Sequence, residues 1–227
     1  GLLKGAAAGA GANSIQLNLA LGMLPALGID KLKALGGSID IATSEFDSVN
    51  RMFSYVEQPT TGVLNVFKFP AIEQGPPKWV PENATAYFAA NWDLATAYLA
   101  IEGLVDTFRG PGTFAALVDG FASNEDGPKI HLKKDIIDQL TGKIEVVSTS
   151  SDDAEQFLLA INLKGADKLQ ATLAEAAKHP GFPGKIREFR GSTIYEVPAG
   201  VTPDGGERML AITIAKNNLF VTSDVKL

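Results

Sequence analysis

The chain has 227 residues, 45% of them apolar and 20% charged, with a formal net charge of −6. That is ordinary globular usage at a length sufficient to bury a core, which excludes disordered and fibrous classes. The acidic balance argues against a nucleic-acid partner, whose phosphates need a clustered positive surface, and the absence of cysteine excludes disulfides, thiol nucleophiles, zinc thiolates and iron–sulfur clusters.

No uncharged apolar run reaches the roughly 18 residues that a membrane span needs, so no transmembrane segment is expected. The opening "LLKGAAAGAGANS" lacks the layout of a signal peptide, and the start at Gly1 reads as a piece of a longer or processed chain, with Gly1 left by tag removal. Gly5, Gly9 and Gly11 do not make a phosphate-binding loop. No Lys-Ser or Lys-Thr pair follows them, and the stretch precedes a strand rather than a helix. Residues 14–24, "SIQLNLALGML", read as a strand running into a helix.

Residues 35–56 and 140–161, "LGGSIDIATSEFDSVNRMFSYV" and "LTGKIEVVSTSSDDAEQFLLAI", look like one phrase written twice. A gap-free offset of 105 sets Gly37 under Gly142, Ile39-Asp40-Ile41 under Ile144-Glu145-Val146, and Met52 to Val56 under Phe157 to Ile161. Ile39 and Ile41, like Ile144 and Val146, alternate with polar or small neighbours, the period of a half-buried strand. Equivalent β-hairpins are therefore expected, with the two pairs facing the same side. The polar segments Glu45 to Arg51 and Ser150 to Gln156 read as their connections. Since "TAYFAANWDLA" at 85–95 echoes residues 14–24, the order strand, helical stretch, strand, hairpin, strand occurs twice. The second copy carries an insertion of helical pattern over 94–140.

Between the copies, Pro70, Pro76, Pro77 and Pro81 predict an extended connector over residues 70–84. Trp79 in its middle reads as a pin holding the connector to a core, with stacking on a ligand as the alternative.

In the second copy Asp93 is a good N-cap, and Leu94, Tyr98, Ile101, Val105 and Phe108 fall near helical spacing. Gly110-Pro111-Gly112 stops that helix, and Thr113 opens a shorter one through Phe121. "DIIDQLTG" predicts about one and a half turns before the strand at 142. "GADKLQATLAEAAKHPG" is an Ala-rich helix with Leu169 and Leu173 on one face, and Lys178 and His179 at its C-terminal end suit the helix dipole. "KIREFRG", "STIYEVP", "MLAITIAKN" and "NLFVTSD" predict closing strands, joined by "GVTPDGGER" at 200–208 and by a tight turn at Asn217-Asn218. Ser223-Asp224 reads as a helix start.

Chemistry-bearing residues are sparse. The two histidines, His131 beside Ile130 and Leu132 and His179 at a helix end, read as structural. Lys129, His131, Lys133 and Lys134, followed by Asp135 and Asp138, read as a solvated face. There is no G-x-S-x-G elbow and no H-E-x-x-H. Asn124 to Gly127 resembles part of a calcium loop, but Lys133 stands where the bidentate Glu is required. Ser151, Asp152 and Asp153 form a second acidic turn. Asn83-Ala84-Thr85 matches a glycosylation sequon. Glu102 and Asp106 lie four apart on one helix face, near Asp93, but acid–base work would need burial. No catalytic residue, cofactor-binding residue or metal ligand is assigned, and no cofactor is expected.

"WVPENATAYFAANWDLATAYLAIEGLVDTFRGPG", "HLKKDIIDQLTGKIEVV", "REFRGSTIYEVP" and "MLAITIAKNNLFVTSD" resemble uncharacterised exported proteins of planctomycete-type bacteria, the domain of unknown function 3352 family. The resemblance covers nearly the whole chain. It implies a signal peptide or lipid anchor upstream and an extracytoplasmic residence (periplasmic, secreted or envelope-attached), and it carries no catalytic residues with it.

The expected architecture is α+β, two related modules of mainly antiparallel sheet with helices packed on one face. Residues 1–69 would be a partial first repeat, 70–84 the Pro-rich connector and 85–227 a second, more complete repeat. Repeats generally build a surface. The expected function is therefore a non-enzymatic envelope or secreted scaffold or binding module. A carrier of a lipid or other apolar molecule is the alternative, and a hydrolase comes third. Self-association through an uncovered sheet edge is expected; the ligand is left open.

Overall fold

A computed structural model describes residues 22–42, 44, 48–72, 75–123, 127, 129–151, 154–201 and 206–223. The chain is α+β, and its described strands form a two-stranded and a seven-stranded antiparallel sheet. Contacts divide it into two units, residues 1–68 with 96–113 and residues 69–95 with 114–227.

In the first unit a helical stretch at 22–27 and a 3-10 turn at Ile29–Lys31 lead into β1 (Leu32–Ile41), which pairs with β2 (Ser48–Val56). Leu35, Gly37, Ile39 and Ile41 stand opposite Ser54, Met52, Asn50 and Ser48, so Leu35, Ile39, Ile41 and Met52 share one face of the ribbon. Lys33 and Lys31 close its far end on the Glu57 carboxylate at 3.0 and 3.9 Å. That carboxyl is held below its ordinary range, chiefly by the hydrogen bond from Lys33 and then by the two positive charges.

The second unit is built on β3 (Ala84–Asn91), β4 (Leu140–Ser151), β5 (Ala154–Leu163), β6 (Lys185–Phe189), β7 (Ser192–Val201), β8 (Glu207–Ala215) and β9 (Asn218–Thr222). They lie in the order β3-β4-β5-β9-β8-β7-β6, so the last described strand is inserted in the middle of the sheet. Helix α3 (Ala166–Ala176) covers one face: its Leu169 packs with Leu140 and Leu163, against Leu94, Ile136, Ile161, Ile214 and Leu219. Leu169 is fully buried, as its place on the apolar stripe predicts.

The helices expected after Asp93, from Thr113 and around Leu169 are present. Helix α1 (Leu94–Arg109) starts directly after Asp93. It ends where the Gly112 N–H donates to the Asp106 carboxylate at 2.9 Å, with Gly110 and Gly112 at positive φ. Helix α2 (Thr113–Ser123) follows, and short π and 3-10 turns at Leu132–Ile136 and Ile137–Gln139 precede β4.

Both repeated segments are antiparallel hairpins, but their registers differ. Ile39 pairs with Asn50, whereas its counterpart Ile144 pairs with Ile161 rather than with Glu155. The connections are also shorter than the polar segments suggested. Strand pairing runs to Ile41 and Ser48 in the first hairpin and to Ser151 and Ala154 in the second. Polar residues such as Ser48, Asn50 and Arg51 sit inside a strand because the ribbon exposes them to water. In β4 Ile144 and Val146 are half-buried, and Glu145, Val147 and Thr149 on the opposite face of the strand are buried. The turn before β9 is Lys216-Asn217, both at positive φ, with Asn218 already paired to Ala215. The Gly5–Gly11 stretch, the strand expected at 14–20, the 124–126 and 152–153 turns and the helix start after Ser223 lie outside the described residues.

Candidate functional site

The second face of the seven-stranded sheet is set by the period-two alternation of its strands. Across the middle it carries, in one row, Ala89, Glu145, Ala160, Phe220, Thr213, Ile194 and Arg187. The Pro-rich connector crosses this face. The Tyr87 hydroxyl lies 3.4 Å from the Gly75 carbonyl oxygen near the β3 edge, and the Trp79 indole meets the Phe220 ring edge-on with centroids 5.5 Å apart. The expected pin is thus in place.

Beyond Trp79 the face is open, leaving a cleft of about 310 Å³. Its floor is Ile194, Ala211, Thr213 and Thr222, small or medium side chains that leave room above the sheet. Trp79 and Phe220 make one wall, and Arg187, Phe189 and Arg190 from the β6 edge make the other. The volume falls at the small end of the range for small-molecule sites.

Most polar groups here are already engaged. Arg187 Nε donates to Glu196 Oε1 at 2.5 Å. The Thr213 and Thr222 hydroxyls each donate to a backbone carbonyl, of Thr193 and Phe157, at 2.8 Å. Arg190 occupies the two-residue turn between β6 and β7 with φ of 50°, its guanidinium over the Phe189 ring at 5.2 Å. It has no carboxylate partner among the described residues, and the Ser192 hydroxyl and Trp79 indole N–H have no hydrogen-bond partner among them either.

A second polar cluster lies near the β3 edge of the same face. Glu145 is buried, its side chain 4% exposed, with Lys143 Nζ at 3.1 Å and the Tyr87 hydroxyl donating to Oε1 at 2.7 Å. Burial, then the hydrogen bond to Glu145, push the Tyr87 hydroxyl up to about 12. The cluster is internally satisfied and holds β3 to β4.

Compared with protein-family models, curated proteins and solved structures, the chain matches none.

The residues singled out in the sequence are scattered. His131 is exposed and its backbone N–H donates to Asp135. His179 Nδ1 accepts from the Gly181 N–H at 3.1 Å in the turn after α3. Lys133 pairs with Asp138, and Lys168 reaches Asp135. Asp106 closes the α1 turn; Glu102 is half-buried on the same helix. Thr85 of the sequon donates from its hydroxyl to the Ser148 carbonyl at the start of β3. None of these lines the cleft. Among the described residues no group of three or more His, Asp or Glu comes together to hold a metal, and no described helix is long and apolar enough to cross a membrane.

The cleft residues that sequence reasoning missed are Arg187, Phe189, Arg190 and Phe220. "REFRG" held a signal: Arg187 and Phe189 are two apart on one strand, hence on one face, beside a turn that projects Arg190.

Proposed function

We propose that this chain is a non-enzymatic binding module of an extracytoplasmic protein, taking a small ligand in the open half of its large sheet. The cleft between Trp79 and the β6 edge carries the reading. It joins aromatic walls to spare hydrogen-bond donors, the lining expected of a small-molecule site. Residence outside the cytoplasm rests on the resemblance to exported bacterial proteins. A carrier of a lipid or other apolar molecule is the second reading, favoured by the three aromatic rings at the cleft.

The test is native mass spectrometry of the purified protein, followed by extraction under denaturing conditions. A discrete small molecule retained at about one per chain supports the module. Absence of any adduct, together with no binding from a library of small molecules, opposes it.

Self-association through the β1–β2 ribbon is proposed alongside, because that ribbon exposes Leu35, Ile39, Ile41 and Met52 on one face.

A further inference from the structure

We propose that the cleft selects an amphipathic monoanion: a flat apolar body lying between Trp79 and Phe189, with one carboxylate on the Arg190 guanidinium. This rests on the binding-module reading and names its ligand class. The argument is one of charge and of spare capacity. Glu196 neutralises Arg187 across the strand pair, so among the described residues the cleft keeps one uncompensated positive charge, that of Arg190. The Ser192 hydroxyl and, on the opposite wall, the Trp79 indole N–H have no partner among the described residues and can both donate. A carboxylate accepts from donors of this kind, whereas a cationic head would meet Arg190 in repulsion.

The body of the ligand follows from the walls. Trp79 stands edge-on to Phe220, which leaves aromatic surface toward the open side, and Phe189 is exposed across the cleft. Because Arg190 rests on the Phe189 ring, the charged and aromatic surfaces are contiguous. A ring bound against Phe189 therefore carries its carboxylate to the guanidinium without crossing a gap.

Three probes of one shape test the class: naphthoate, naphthamide and naphthylmethylammonium, titrated by calorimetry at low salt, with the Trp79 indole N–H resonance followed by NMR. Naphthoate is expected to bind about tenfold more tightly than naphthamide and to shift that resonance. Naphthylmethylammonium should bind weakest. The Arg190→Asn variant removes the charge but leaves an Asn-Gly pair, which suits this turn, so the fold is retained. In that variant naphthoate and naphthamide should bind alike. If all three probes shift the Trp79 resonance with equal affinity, the cleft stands and the anion preference is overturned. A tenfold preference that survives in Arg190→Asn overturns the assignment of Arg190. If no probe binds and the resonance stays put, the binding-module reading fails with it.

Discussion

The Tyr87 hydroxyl donates to the Glu145 carboxylate across 2.7 Å, joining β3 to β4 on the face that the connector covers. Burial is the first cause that pushes the Tyr87 hydroxyl up to about 12, with the hydrogen bond to Glu145 and its negative charge following. The neutral phenol is the form the folded state prefers. Its stabilisation is fully present below the ordinary value of 10.0 and is lost as pH rises through about 12. Difference spectroscopy between the native chain and Tyr87→Phe should show one tyrosine that stays protonated at pH 11. If that difference titrates near 10, Tyr87 is not held by Glu145.

Changing the two members of the Lys143–Glu145 pair should not cost the same. Lys143→Met leaves a carboxylate with 4% exposure held by a single hydroxyl, a loss of about 3 kcal/mol. Glu145→Gln still accepts from Tyr87 and leaves Lys143 free to turn to water, so about 1 kcal/mol is expected. Urea unfolding of the two variants ranks them, and the reverse order would mean that Lys143 adds nothing to the cluster.

Gly142 is a position where a methyl group is blocked twice. Its φ is 96°, and an added Cβ would lie 2.1 Å from the Trp92 carbonyl oxygen. The same glycine accepts from the Trp92 N–H at 2.8 Å, which ties the strand to the chain entering α1. Gly142→Ala should therefore destabilise by about 1–3 kcal/mol from the backbone alone, and thermal unfolding measures it. Gly37, its counterpart under the repeat, has an ordinary φ, but an added Cβ would meet the Arg51 carbonyl oxygen at 2.5 Å. The two glycines share a place in the pattern for different local reasons.

That contrast marks how far the sequence could be read. The four closing strands, the helix stopped by Gly110-Pro111-Gly112 and the burial of Leu169 follow from strong local signals: alternation, breakers and a helical stripe. Strand order does not. β9 enters between β5 and β8 because Leu219 and Val221 complete the apolar row facing α3, and that pairing is visible only once the sheet exists. The hairpin registers were hidden for a related reason, since Ile144 finds Ile161 through its burial partners and not through its place in the repeat. The cleft was least legible of all. Arg187, Ile194, Thr213 and Phe220 come from four strands, and each looks like an ordinary residue of its own strand.

The β1–β2 ribbon carries the last prediction. Two strands alone are marginally stable in water, and this pair has Leu35, Ile39, Ile41 and Met52 on one face at 71, 68, 79 and 92% exposure. Four contiguous apolar side chains left in water favour a partner that removes them from it, and a second copy of the same ribbon presents a matching apolar face. Charge does not oppose the contact, because the Arg51–Asp40 pair lies on the other face of the ribbon. Sedimentation velocity over a range of concentrations should show a reversible dimer. The double variant Ile39→Lys with Met52→Lys should sediment as a monomer. Because both side chains are exposed, its intrinsic stability should change by no more than about 0.5 kcal/mol. A native chain that stays monomeric at every concentration, or a double variant that still dimerises, would remove the ribbon as the contact surface.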